Sequence, residues 1–197
     1  MKKTLVALSL ALMAFGSQAQ AATWQASNAD IDFLSIKVNQ KKRSVTESSN
    51  FTASQARLDA QGNFTLEVDL KSVRTNIDLR DERLRDWVFE TAKFGKATIT
   101  GKVDMAAIDR LAVGQSLRLE QPLKLDLHGA SADLDATLNV HRRFADVIDV
   151  QTVTPVVLNT QELGLGAGVN RLIDVMGLLT IADQVPVSFS AAFKRMP

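Results

Sequence analysis

From Asn63 to Val73 the chain reads NFTLEVDLKSV. In an extended strand Phe64, Leu66, Val68 and Leu70 fall on one side, and Thr65, Glu67, Asp69 and Lys71 on the other. Successive strand side chains point to opposite faces, so each such segment has one face to hide from water. The alternation returns with Ala97, Ile99, Gly101 and Val103; with Leu117 and Leu119; with Leu123, Leu125 and Leu127; with Leu134, Ala136, Leu138 and Val140; and with Val185, Val187, Phe189, Ala191 and Phe193. Weaker strand patterns lie in IDFLSIKV, TASQARLD and DVIDVQTVTPVVL. About eight one-sided strands joined by short turns, such as the hairpin at Gln61-Gly62-Asn63, must bury their apolar faces together. An antiparallel barrel or a sandwich does this. No linker, low-complexity run or repeat divides the chain.

Two segments leave this rhythm. Asp78 to Asp86 holds seven charges in nine residues, yet Leu79, Leu84, Trp87 and Val88 share one side of a helix. Asp78 is the expected N-cap, with Asp81 in the first turn and an Asp81 to Arg85 pair along the surface. The second, VNRLIDVMGLL, gathers Val169, Leu172, Ile173, Met176 and Leu179 on an apolar stripe behind Gly164, Gly166 and Gly168. Two short helices with one greasy side each are expected to cap the open ends of an all-β body.

The N-terminus carries Lys2 and Lys3, an uncharged run from Thr4 to Phe15, and small residues at Ala19 and Ala21. This is the pattern of a secretory signal peptide, with cleavage expected after Ala21. Its apolar run is too short to span a bilayer. The expected organisation is therefore a signal peptide over 1–21 and a single soluble domain over 22–197. Loss of Lys2 and Lys3 takes the formal charge from +1 to −1, a balance that argues against a nucleic-acid partner. The chain has no cysteine, so it offers neither a disulfide nor a lipidated N-terminal thiol. The signal style points to the bacterial periplasm, and nothing after residue 21 suggests stable membrane insertion.

Reactive constellations are sparse. Arg74, Arg80, Arg83 and Arg85 suit a diphosphate group, but Asp78, Asp81, Glu82 and Asp86 sit among them and favour a self-neutralised, solvated face. His128 lies in an LHGA turn and His141 ends a strand, and two isolated histidines make no metal site. Gly164, Gly166 and Gly168 open a helix after a strand, but Arg171 stands where a dinucleotide fingerprint needs its third glycine. No nucleophile, zinc or phosphate-loop motif is present. The inward stripe has two readings, a packed core or the wall of a bore, since eight strands enclose about enough space for either.

The run Ser72-Val73-Arg74-Thr75, then Arg80-Asp81-Glu82-Arg83-Leu84-Arg85, Phe89, Phe94 and Ala97-Thr98 resembles the YceI-like family of periplasmic proteins. The later stretch PVVLNTQELGLGAGVNRLIDVMGLLTIADQVPVSFSAAF is similar to the same family. The chain departs from the family at Ser27-Asn28-Ala29-Asp30, where a histidine-serine pair is common, at Arg83, where a histidine is common, and at Gly95, where a proline is common. The resemblance implies a mainly β, eight-stranded antiparallel lipocalin-like barrel that binds a polyisoprenoid, an isoprenoid quinone or an acyl chain, and it implies no catalysis. The tunnel candidates are then Phe64, Leu66, Val68, Leu70, Leu125, Leu127, Leu138, Val140, Leu172, Met176, Val187, Phe189 and Phe193. No cofactor is expected beyond such a bound isoprenoid lipid or quinone. The alternative readings are an envelope stress-related interaction module, a quinone-delivery partner of a membrane redox protein, or a homodimer; an enzyme acting on an apolar substrate ranks below them.

Overall fold

The computed structural model describes residues 23–196, so the expected signal peptide and its cleavage site lie outside the described residues. The first half of the chain forms β1 (Thr23–Ala26), β2 (Asp30–Asn39), β3 (Ser44–Phe51), β4 (Ser54–Leu58), β5 (Asn63–Asp69), β6 (Val73–Arg74), α1 (Asp78–Arg83) and β7 (Lys96–Lys102). The second half forms α2 (Met105–Arg110), β8 (Ser116–Leu127), β9 (Ala130–Phe144), β10 (Val147–Thr152), β11 (Val156–Asn159), α3 (Gly166–Met176), β12 (Leu178–Ile181) and β13 (Gln184–Met196).

These strands make a closed eight-stranded antiparallel barrel with the order β1-β4-β5-β7-β8-β9-β10-β13, and β13 returns to β1 through Thr23 opposite Met196. Five of the eight walls are broken into two pieces, β1/β2, β3/β4, β5/β6, β10/β11 and β12/β13. At the breaks, side chains replace the ladder: Ala29 N donates to Ser54 Oγ (2.8 Å) and Ala53 N to Ser72 Oγ (3.0 Å). Pro155, which has no N–H to offer a ladder, sits in the break between β10 and β11. Beyond these breaks β11, β13, β2, β3 and β6 continue as an extended upper wall, with β12 along β2.

The lower end is shut. Trp24, 1% exposed, lies beneath the guanidinium groups of Arg142 and Arg195, at 5.5 and 5.7 Å from its ring centre. Short α2 covers this end with the buried Ile108, whose carbonyl accepts from Arg142 at 2.7 Å. The alternation alone did not reveal α2, because it carried a strand on through Val103 and Asp104. In the structure the strand ends at Lys102 and Asp104 caps the helix, accepting from Ala106 N and Ala107 N.

The two helices read from the sequence both lie at the upper end, one against the other, instead of one at each mouth. α1 runs into a π-helical turn, Leu84–Val88, and Arg171 of α3 stacks on Trp87 at 3.9 Å. Three local expectations change. The N-cap of α1 is Ile77, Leu79 is exposed, and the buried apolar residue of the following π turn is Val88. Asp81 is 1% exposed and accepts from Thr75 N (2.7 Å) and Thr75 Oγ1 (2.6 Å); its basic neighbour is Arg74 at 3.7 Å, not Arg85. Leu179 lies past the helix on β12, because Gly177 takes a left-handed C-cap and ends α3 at Met176.

Gly168 sets the spacing of this upper cover. A Cβ on it would sit 2.1 Å from the carbonyl oxygen of Trp87, which is backbone and cannot swing aside. Gly168→Ala should therefore push α3 off the π turn and cost about 1–3 kcal/mol. Urea denaturation measures this, and an unchanged midpoint would show that the contact tolerates a methyl group.

Candidate functional site

The inward faces of the strands do not meet at the barrel axis. Two contiguous chambers remain, an upper one of about 190 Å³ and a lower one of about 160 Å³. Each exceeds roughly tenfold the ~15 Å³ that admits one water. They share Ile31, Val68, Ile99, Leu125, Leu158 and Val187, which form a waist between them. Small inward residues help to keep the bore open: Ala97 lines the upper chamber and Ala136 the lower.

The structure places the sequence-derived tunnel candidates along this bore. Phe64, Leu66, Leu138, Val140, Phe189 and Phe193 line the lower chamber; Val68, Leu125 and Val187 line the waist; Leu70, Leu127, Leu172 and Met176 line the upper chamber. Leu70 does so from a 3₁₀ turn that follows β5, where its side chain is still buried. In the lower chamber the polar members are Gln121 and Thr152, and both are occupied locally. Gln121 Nε2 donates to the carbonyls of Lys102 and Pro122, and Thr152 Oγ1 accepts from Phe189 N. An apolar guest there leaves no protein donor stranded.

The upper chamber differs at its rim. Lys37, Glu47, Ser49, Thr75 and Arg80 line it together with the apolar residues. Glu47 Oε2 accepts from Lys37 Nζ at 2.6 Å and from Arg80 NH1 at 2.5 Å. The Lys37 and Arg80 side chains are only 12% and 17% exposed. The hydrogen bond from Lys37 holds the Glu47 carboxyl below its ordinary value; partial burial opposes this, and the charges of Arg80 and Lys37 with the Arg80 hydrogen bond outweigh it.

Sequence reading missed this rim because its β3 residues do not form an apolar stripe. β3 turns Glu47, Ser49 and Phe51 toward the chamber, while Val45 on the same side is exposed, so its inward stretch shows no apolar run to recognise. Lys37 shares parity with Ile31, Phe33 and Ser35 on β2, and the strand pattern there did not single it out. Of the four arginines around α1, Arg80 alone turns into the bore; Arg74 is exposed and Arg83 lies over Trp87 at 5.4 Å. The histidines stay apart. His128 Nε2 is 2.7 Å from Glu90 Oε2, and His141 Nδ1 is 3.0 Å from Ser116 Oγ.

The YceI-like domain model matches residues 13–193. The chain belongs to the YceI-like family. Among solved structures, the polyisoprenoid binding domain from Saccharophagus degradans implicated in plant cell wall breakdown is 34% identical, with a TM-score of 0.82 over 90% of this chain and 99% of that one. Burkholderia cenocepacia BcnA, 15% identical, shares the fold with a TM-score of 0.57 over 83% of this chain and 95% of its own. The Campylobacter jejuni YceI protein, 14% identical, does so with a TM-score of 0.55 over 76% and 84%. No curated protein matches the chain. Among the described residues, no helix is long and apolar enough to cross a membrane.

Because the carboxyl of Glu47 is held below its ordinary value near 4.5, the unfolded chain binds the proton more readily than the folded one. The stability that Glu47 contributes is therefore present above that ordinary value and is lost as pH falls through the lower folded one. The gap in urea stability between the wild type and Glu47→Gln should be full at neutral pH and close in acid below about pH 4.5. A gap that stays constant on acidification would show that the ion pairs add nothing to stability.

Proposed function

We propose that the bore sheathes one long apolar chain, a polyisoprenoid, an isoprenoid quinone or an acyl lipid, and that the protein is a periplasmic carrier or store for it. The observation that carries this reading is the pair of adjoining chambers that share six wall residues, the lower chamber and the shared waist presenting almost only hydrocarbon. The 34% identical domain described as polyisoprenoid binding supports the same cargo class. Each buried methylene is worth about 0.8 kcal/mol, so one five-carbon unit contributes roughly 3–4 kcal/mol before ordering costs. A few units therefore suffice for tight binding without a polar anchor in the lower chamber. Non-covalent binding also agrees with the chemistry in the bore, whose charged groups are confined to one ion-paired rim. The periplasmic assignment rests on the N-terminal sequence pattern.

Purified protein extracted with organic solvent should release a long-chain molecule detectable by mass spectrometry, at about one per chain. Repeated absence of any such molecule, together with no uptake of geranylgeraniol by the emptied protein, would sink the proposal. The waist offers a second test. Ile99→Trp fills the passage between the chambers, so affinity for geranylgeraniol should fall by about tenfold or more while that for geraniol changes little. Equal losses for both alcohols would mean that the chambers do not act as one bore.

A further inference from the structure

The antiparallel register of β2 and β3 pairs Ile31 with Phe51, Phe33 with Ser49, Ser35 with Glu47, and Lys37 with Val45. The inward face of this hairpin thus passes from hydrocarbon at depth to charge at the rim. There two cations face a single carboxylate. An ammonium has three N–H donors and a guanidinium five, and Glu47 accepts one from each. Asp81, the buried carboxylate at the start of α1, is bonded by Thr75 and has its own cation in Arg74 at 3.7 Å. The Lys37, Arg80 and Glu47 cluster thus carries one net positive charge, on cationic side chains only 12% and 17% exposed, beside a cavity lined mainly by hydrocarbon. A cation in such a setting attracts an anion more strongly than it would in bulk solvent.

We propose that Lys37 and Arg80 form the head-group site of the bore and select an amphiphile that ends in an anionic oxygen group, a phosphate or a carboxylate, over the neutral alcohol of the same chain. This rests on the apolar-cargo reading, since it places the tail in the bore and the head at the rim. Arg80 suits the role because its planar fork matches phosphate or carboxylate oxygens, and Lys37 adds a mobile point charge. Glu47 holds both in place and also competes with the incoming anion. A merely structural tie between the hairpin and α1 would make no distinction among head groups.

Calorimetric titration of the delipidated full chain with farnesol, farnesyl phosphate and farnesoic acid separates these cases. At least one of the two anions should bind about tenfold or more tighter than farnesol, and the tighter anion identifies the head group. Lys37→Met should reduce that ratio with little change in farnesol affinity. Glu47→Gln should raise the ratio, an outcome that loss of stability would not produce. Farnesol binding as tightly as both anions, or a ratio unmoved by Lys37→Met, would overturn the head-group site and leave the cargo reading standing. Failure of all three to bind would instead remove the cargo reading and this site with it.

Discussion

The meeting of the first and last strands governs the rest of the molecule. β13 bonds to β10 on one side and to β1 and β2 on the other, so the ring has no free edge in its lower half. Once the ring is closed, alternate residues of every wall have only the interior to enter. The apolar faces then hide from water without a second sheet or a partner. Eight strands set the diameter near the point where side chains can just fill the middle, and small residues such as Ala97 and Ala136 leave it unfilled.

The two ends of this ring are built differently, and that difference gives the bore a direction. Below, Trp24, Ile108 and Arg142 close the barrel with a buried indole, an apolar helix residue and a cation over the ring. Above, the broken walls carry the hairpin of β2 and β3 past the ring, and α1 with α3 covers only part of what is exposed. Gly168 permits the close crossing of those helices, and Asp81 ties the start of α1 to Thr75. The charged rim stands where the hairpin and α1 meet, through Glu47 and Arg80.

Much of the barrel was legible because β5, β8 and β13 each keep a strict two-residue period with one apolar face. β3 was not, since its inward residues Glu47 and Ser49 are polar and are tolerated only beside Lys37, Arg80 and the rim. Short α2 was hidden by the strand pattern that precedes it. Asp81 reads in sequence as a surface charge, and only the fold turns it under Thr75. The tunnel candidates were drawn from strand parity, the α3 stripe and the family resemblance, while the ion pairs at the rim join residues far apart in the chain, such as Glu47 and Arg80.

The sequence by itself determined that the chain is built of one-sided strands, that it carries two interrupting helices, and which apolar residues of the regular strands share a face, because side-chain direction in a strand follows local geometry. Only the tertiary structure decided that the interior keeps two adjoining chambers, that both of those helices sit at one end, and that Lys37, Glu47 and Arg80 form a single cluster. Those outcomes depend on how closely opposing walls approach and on which distant segments meet, and no local periodicity encodes either distance.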